Sequence, residues 1–251
     1  MGQRKPAKDS AQFTKRMKLR GLRKVHHYYH FSLSMPLQSI AFNLKGQNLW
    51  LSPEKCMFWE NQNSLILCDL HLGKSGHFRK EGIGIPQNIL AHDLVRLDSQ
   101  IEYFQPTSLI IIGDLFHSRQ NLEINYFSRW REINNQINIH LVPGNHDILS
   151  TKIYNNMKID IHPEEWNLSP FVFRHEQSNK PDKNKYTISG HIHPGIRLKG
   201  KGKQTLKFPC FYFTNCEALM PAFGKFTGLH IIEPSKKAQI FAIAEKQVIQ
   251  I

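Results

Sequence analysis

Hydrophobic positions along the chain form short runs of four or five residues, interrupted by two longer stretches of helical period. Ile40–Leu44 and residues 48–51 flank Lys45-Gly46-Gln47, the pattern of a hairpin turning at the glycine. Ser64–Cys68 and residues 109–112 read as buried strands, because their apolar residues are continuous rather than alternating, and residues 137–142 are strand-like. Leu90, Leu94, Leu97, Ile101 and Phe104 recur at steps of four and three, which predicts a helix. Pro86 would open it where a missing N–H is tolerated, and Pro106 lies just past its end. A second helix is predicted over residues 123–137, and further strands at 171–173, 186–189, 205–214, 228–232 and 239–243. Helices crowd the first half and strands the second, which predicts a layered α/β sandwich rather than a regular doubly wound sheet. There is no internal repeat, and Lys199-Gly200-Lys201-Gly202-Lys203 reads as a flexible basic turn.

Composition changes this picture little; charge changes it more. At 251 residues the chain can bury a full core without disulfides. No apolar run approaches the roughly 18 residues of a membrane helix, so no membrane partner is expected. Cys56, Cys68, Cys210 and Cys216 show no CxxC spacing and read as reduced thiols of a cytoplasmic protein. The net charge of +13 points to an anionic partner. Its distribution is uneven: residues 1–34 hold nine Lys and Arg against the single acid Asp9. The expected organisation is therefore a basic, disordered tail over 1–34 and one domain over 35–251. Three readings of the tail stay open: nucleic-acid contact, a solvated extension, or Met35 as the true start of translation.

Candidate chemistry sits where the apolar strands stop. Asp69-Leu70-His71 follows the strand at 64–68, and Gly113-Asp114-Leu115-Phe116-His117 follows 109–112. Gly144-Asn145-His146-Asp147 comes just after 137–142, His175 after 171–173, and Gly190-His191-Ile192-His193 after 186–189. Five strands delivering Asp, Asn and His at their carboxyl ends would gather them at one sheet rim, where α/β proteins bind ligands. In Asp69-x-His71 and His191-x-His193 the spacing of two would put both side chains on one side of an extended strand. Carboxylate, imidazole and amide donors without thiolate suit Mn, Fe or Zn rather than a structural zinc–sulfur site. Each block alone is an ordinary turn or helix cap; the conjunction of five is the signal. His162 competes with His175 as the lone-histidine donor, but it is preceded by no clear strand and followed by Pro163.

Taken in order, these blocks resemble the five motifs of the calcineurin-like metallophosphoesterase superfamily. That resemblance implies a four-layer αββα sandwich around two divalent metal ions, with Mn favoured over Fe or Zn. It implies Asp69, His71 and His193 on one metal, Asn145, His175 and His191 on the other, and Asp114 bridging. It further implies His146 as general acid, oriented by Asp147. The position after Asp114 that is commonly Asp is His117 here. In this it resembles the repair-nuclease branch and implies a second catalytic imidazole. Outside the motifs, Leu51-Ser52-Pro53-Glu54, Asp69-Leu70-His71-Leu72-Gly73-Lys74 and Pro221-Ala222-Phe223-Gly224 resemble the bacterial DNA-ligase-associated phosphoesterases. This implies a nucleic-acid phosphodiester substrate and a DNA ligase and a helicase as partners in repair.

The expected activity is accordingly a two-metal phosphodiesterase, a nuclease associated with DNA repair. A small-molecule phosphodiesterase or nucleotide-sugar pyrophosphatase is the alternative within the same chemistry, and a metal-binding scaffold without catalysis is the alternative outside it. Lys74, His77, Arg79 and Lys80 are candidate contacts for flanking phosphates, or simply a solvated basic loop.

Overall fold

The computed structural model describes residues 38–74, 89–117, 121–177, 185–200, 204–225 and 227–251. The tail over 1–34, the helix start at Pro86 and the loop residues His77, Arg79 and Lys80 lie outside them. Strands β1 (Ile40–Leu44) and β2 (Gln47–Leu51) form the expected hairpin. Its turn is one residue tighter than predicted: Lys45 and Gly46 both take positive φ, 52° and 75°, and Gln47 already belongs to β2. Strand β3 (Met57–Trp59) then pairs antiparallel with β2 and with β4 (Ser64–Cys68).

From β4 onward the first sheet is parallel. Strand β4, helix α1 (Ile89–Phe104), β5 (Ser108–Ile112), helix α2 (Asn121–Ile133), β6 (Asn138–Val142), helix α3 (Thr151–Asn156) and β7 (Ile159–Ile161) follow in sequence, and the strands lie side by side in that order. Because the order advances in one direction, right-handed crossovers place the helices on a single face. The side chains record this. Leu65, Leu67, Leu109, Ile111, Ile139 and Leu141 pack with Leu94, Leu97, Phe104, Phe127 and Trp130 from the helices. Their alternates Ile66, Cys68, Ile110, Ile112 and Val142 point the other way.

Those alternates meet the second sheet. Strands β8 (Glu165–Leu168), β9 (Phe171–Arg174), β10 (Tyr186–Ser189), β11 (Pro194–Lys199), β12 (Thr205–Phe213), β13 (Glu217–Leu219) and β14 (His230–Ile231) run β14-β11-β12-β13-β10-β9-β8, with β15 (Gln239–Ala244) on β12 and β16 (Gln247–Gln250) on β15. Phe171, Phe173, Ile188, Phe211, Phe213 and Phe241 fill the space between the sheets. Trp59 of the first sheet meets Phe171 of the second at a 4.8 Å centroid distance. The outer face of the second sheet is packed by Ile196, Cys210, Tyr212, Leu219, Ile240 and Ala242, and among the described residues no helix contributes to that cluster. The molecule is the layered two-sheet α/β sandwich expected. All four cysteines are free, and no described helix is long and apolar enough to cross a membrane.

Several boundaries differ from the sequence reading. Helix α2 ends at Ile133 rather than 137. The Arg131 guanidinium turns back to the carbonyls of Asn134 and Met157 and holds the chain in a turn there. The segment predicted as a strand over 228–232 is regular only at His230–Ile231. Strand β7 immediately precedes His162, which corrects the expectation that no strand leads to it. That histidine stacks on Trp166 at 4.2 Å and approaches the His140 ring nitrogen at 3.2 Å, so it belongs to a separate aromatic group.

Arg96 of α1 ties three regions together. It donates to the Glu54 carboxylate at 2.6 Å, to Asp93 at 3.0 Å and to the carbonyls of Glu54 and Phe223, and its guanidinium lies 4.4 Å from the centre of the Phe223 ring. Asp93 also accepts the backbone N–H of Lys225. Arg96→Met keeps an apolar stem but strips these charge-assisted bonds from partly buried carboxylates. It should lower unfolding free energy by about 3 kcal/mol, read from the urea midpoint; an unshifted midpoint would show that the cluster carries no net stability.

Candidate metal centre

The site forms where five strands of the two sheets end. From the first sheet, β4 delivers Asp69 and His71, β5 delivers Asp114 and His117, and the turn after β6 delivers Asn145, His146 and Asp147. From the second sheet, β9 delivers His175, and β10 delivers His191 and His193. Asp69, His71, Asp114 and His175 are buried at the floor. His117, His146 and His193 are half-buried, and Asn145 and His191 stand exposed at the rim.

Strand alternation, the expected reason for the Asp-x-His and His-x-His pairs, is not what brings them together. Asp69 and His71 have φ of 51° and 48°, Asp114 45°, and His191 and His193 64° and 54°. Left-handed backbone at non-glycine residues costs about 1 kcal/mol or more each, and it persists only where surrounding structure fixes it. Here each turn is pinned. His71 N–H donates to the Asp114 carbonyl at 2.8 Å, Leu72 N–H to Leu115, and His117 N–H to Leu72. His191 N–H donates to Asp69 Oδ2 at 2.9 Å, and Gly224 N–H to the Asp69 carbonyl at 3.1 Å. At Gly113, φ 74°, a Cβ would fall on the His175 ring, so only glycine lets that imidazole reach the floor.

The donors converge at ligand-like separations. His193 Nε2 lies 3.7 Å from Asp69 Oδ2, and His175 Nδ1 lies 3.7 Å from Asp69 Oδ1. Asp114 Oδ2 is 3.6 Å from His71 Nε2 and 3.6 Å from His175 Nε2. His175 Nε2 is 3.3 Å from Asn145 Oδ1 and 3.0 Å from His191 Nδ1. Ligands at about 2.1 Å from one cation stand roughly 3.0–3.4 Å apart, close to these values. Among the described residues two groupings bring their ligand atoms within 4.8 Å of one another and could hold a metal ion: Asp69 with His71 and His193, and Asp69 with Asp114 and His175. Asp69 thus faces both.

Burial and electrostatics agree with a cation there. Asp69 Oδ1, both ring nitrogens of His71 and Nδ1 of His175 are buried with no hydrogen-bond partner, a costly state for polar atoms unless something else satisfies them. Burial, followed by Lys74 and the neighbouring histidines, pushes His71 down to about 2, so its ring is neutral and its lone pair free to bind. Burial also lowers Lys74, against the opposing pull of Asp114 and Asp69. The donor set fits divalent cations.

His117 and His146 lie together beside His71, their ring centres 4.6 Å apart and each about 5.5 Å from His71 (5.5 and 5.6 Å). The Asp147 carboxylate does not orient the His146 ring as expected. Its oxygens accept the N–H groups of Phe116 and Gly144 and the hydroxyl of Tyr154. Asp147 therefore fixes the loop, and burial raises it despite those donors. The His146 N–H in turn donates to Asp114 Oδ1 at 2.9 Å. Tyr154 and the Arg96–Phe223 link were missed in the sequence, since an isolated Tyr on a short helix and an Arg inside an amphipathic one carry no local signal.

The calcineurin-like phosphoesterase family matches residues 64–213. Among solved structures, Pseudomonas putida nuclease MPE is similar over 85% of this chain and 100% of its own, with 28% identity and a TM-score of 0.73. The E. coli phosphoesterase Yfce is similar over 75% of this chain and 97% of its own, at 11% identity and a TM-score of 0.39, too remote to carry an argument. Comparison with curated proteins finds no match. The matched span contains every donor that converges at the strand ends, and the chain belongs to the calcineurin-like phosphoesterase family, a group of metal-dependent hydrolases.

Proposed function

We propose that this chain is a two-metal phosphodiesterase that cleaves nucleic acid. The observation that carries the reading is the position of Asp114, whose Oδ2 is equidistant from His71 and His175. In this reading Asp69, His71 and His193 would hold one cation, Asn145, His175 and His191 would hold the other, and Asp114 would serve both. When bound, the cations, manganese by preference, would supply Lewis acidity toward the phosphoryl oxygens and a water. His146 and His117, the half-buried imidazoles next to His71, are the groups placed to give a proton to the departing oxygen, one of them serving as the acid. Asp147 and Tyr154 position His146 through the loop.

The polymer substrate is supported by the 28% identical nuclease from P. putida, which this chain covers from end to end, and by the overall charge of +13. A cytoplasmic setting, work beside a DNA ligase and a helicase in repair, and the division into a tail over 1–34 and a domain over 35–251 complete the proposal. The partners rest on the sequence resemblance, the setting on the cysteine usage, and the division on the basic charge of residues 1–34.

With Mn, the protein should hydrolyse a bis-aryl phosphodiester, and His146→Ala should lower turnover by roughly 100-fold or more while elemental analysis still finds two metal equivalents. Two bound metals in a wild type without activity on any phosphodiester would instead favour a scaffold. Because the floor atoms lack hydrogen-bond partners, metal should also stabilise the fold. At a free concentration near 100 times its dissociation constant, Mn should add about 2.7 kcal/mol, visible as a higher melting temperature that chelation reverses. His71→Ala should abolish that gain.

A further inference from the structure

Strand β11 starts at the residue after His193, so whatever it presents begins at the metal centre. It pairs antiparallel with β12 in the register Gly195↔Pro209, Arg197↔Lys207 and Lys199↔Thr205. The inner half is buried through Pro194, Gly195, Ile196 and Cys210, whereas Arg197, Lys199, Thr205 and Lys207 are exposed. Directly opposite and alternate residues share a face, so the three cations stand on one side of the ribbon. The other side is anchored, with Leu198 and Phe208 packed against the outer apolar cluster.

This arrangement needs a reason. Arg197 and Lys207 are like charges directly across a strand pair, a placement that destabilises a sheet. Neither they nor Lys199 form an ion pair with a described residue, and no acid occurs between Pro194 and Phe213. Protection of an exposed edge against association is served by charge of either sign; it does not account for a single sign. A polyanion does. At about 3.3 Å per residue, Arg197 and Lys199 lie roughly 13 and 20 Å along the chain from His193. At roughly 3.4 Å per base step that corresponds to about four to six steps from the cleaved bond.

We infer that the outer half of the β11–β12 ribbon is a phosphate-binding arm that holds the nucleic-acid strand flanking the cleaved bond, through Arg197, Lys199 and Lys207. The inference rests on the nucleic-acid reading above and adds to it the surface that selects a polymer over a small diester. It contacts phosphates and therefore confers affinity without base preference.

The test uses the full Mn-loaded protein and the combined variant Arg197→Gln, Lys199→Gln, Lys207→Gln. Two substrates are compared: an oligonucleotide long enough to reach the ribbon, and a bis-aryl phosphodiester that cannot. The variant should lose roughly tenfold or more in kcat/KM on the oligonucleotide at low salt, mainly through KM. The slope of log KM against log salt should shrink by about two to three, with aryl ester hydrolysis unchanged. The unchanged small substrate also shows that the variant folds, and Arg197→Lys with the other two cations intact should retain oligonucleotide affinity. Equal loss on both substrates, or an unaltered salt slope, would overturn the arm. A wild type that hydrolyses the aryl ester but no nucleic acid would overturn the substrate reading itself, a distinct result.

Discussion

The Oδ2 atom of Asp114 stands 3.6 Å from a ring nitrogen of His71 and equally far from one of His175, while Oδ1 accepts the His146 amide. A carboxylate buried with imidazoles rather than water is expensive unless charge and geometry compensate. His71 comes from the first sheet and His175 from the second, so this arrangement exists only when the sheets pack face to face. The aromatic layer between them, Trp59 on Phe171 and Phe42 on Phe213 among others, therefore sets the distance across the metal centre as well as stabilising the fold.

The strand ends supply position and the turns supply direction. Five candidate donors sit in left-handed backbone, held by hydrogen bonds that run from one turn to the next rather than within each. Asp69 shows the consequence: its carboxylate accepts from His191, its carbonyl from Gly224, and the strand before it bridges to Ala222. Gly224 is next to Phe223, whose carbonyl is bound by Arg96. A helix on the outer face of the first sheet is thereby connected to the floor of the site. Local strain in the turns is balanced by a rigid surround, as expected where donors must be held apart from their preferred solvation.

Much of this was legible in the residues. The apolar runs of β4 and β5 announced strands buried on both faces, β6 was legible as a strand ending in Leu141-Val142, and the helix of α1 followed from its steps of four and three. The donors could be named because each stands directly after such a run. Short strands such as β3, β7 and β13 were not legible, since three residues carry too little periodicity to separate strand from turn. The tight Lys45-Gly46 turn was decided by backbone pairing and the early end of α2 by the Arg131 guanidinium on main-chain carbonyls, neither of which the pattern specifies.

The sequence by itself determined which groups are present and at which strand ends, because hydrophobic continuity and turn residues are local properties. It also determined the single sign of charge on β11 and β12. Only the tertiary structure decided how the groups meet. Asp69 and His71 converge through positive φ rather than alternation, Asp147 bonds Tyr154 and two amides rather than the His146 ring, and His162 is turned away onto Trp166. Each of these outcomes depends on contacts between residues far apart in the chain, where packing and backbone hydrogen bonds outweigh local preference.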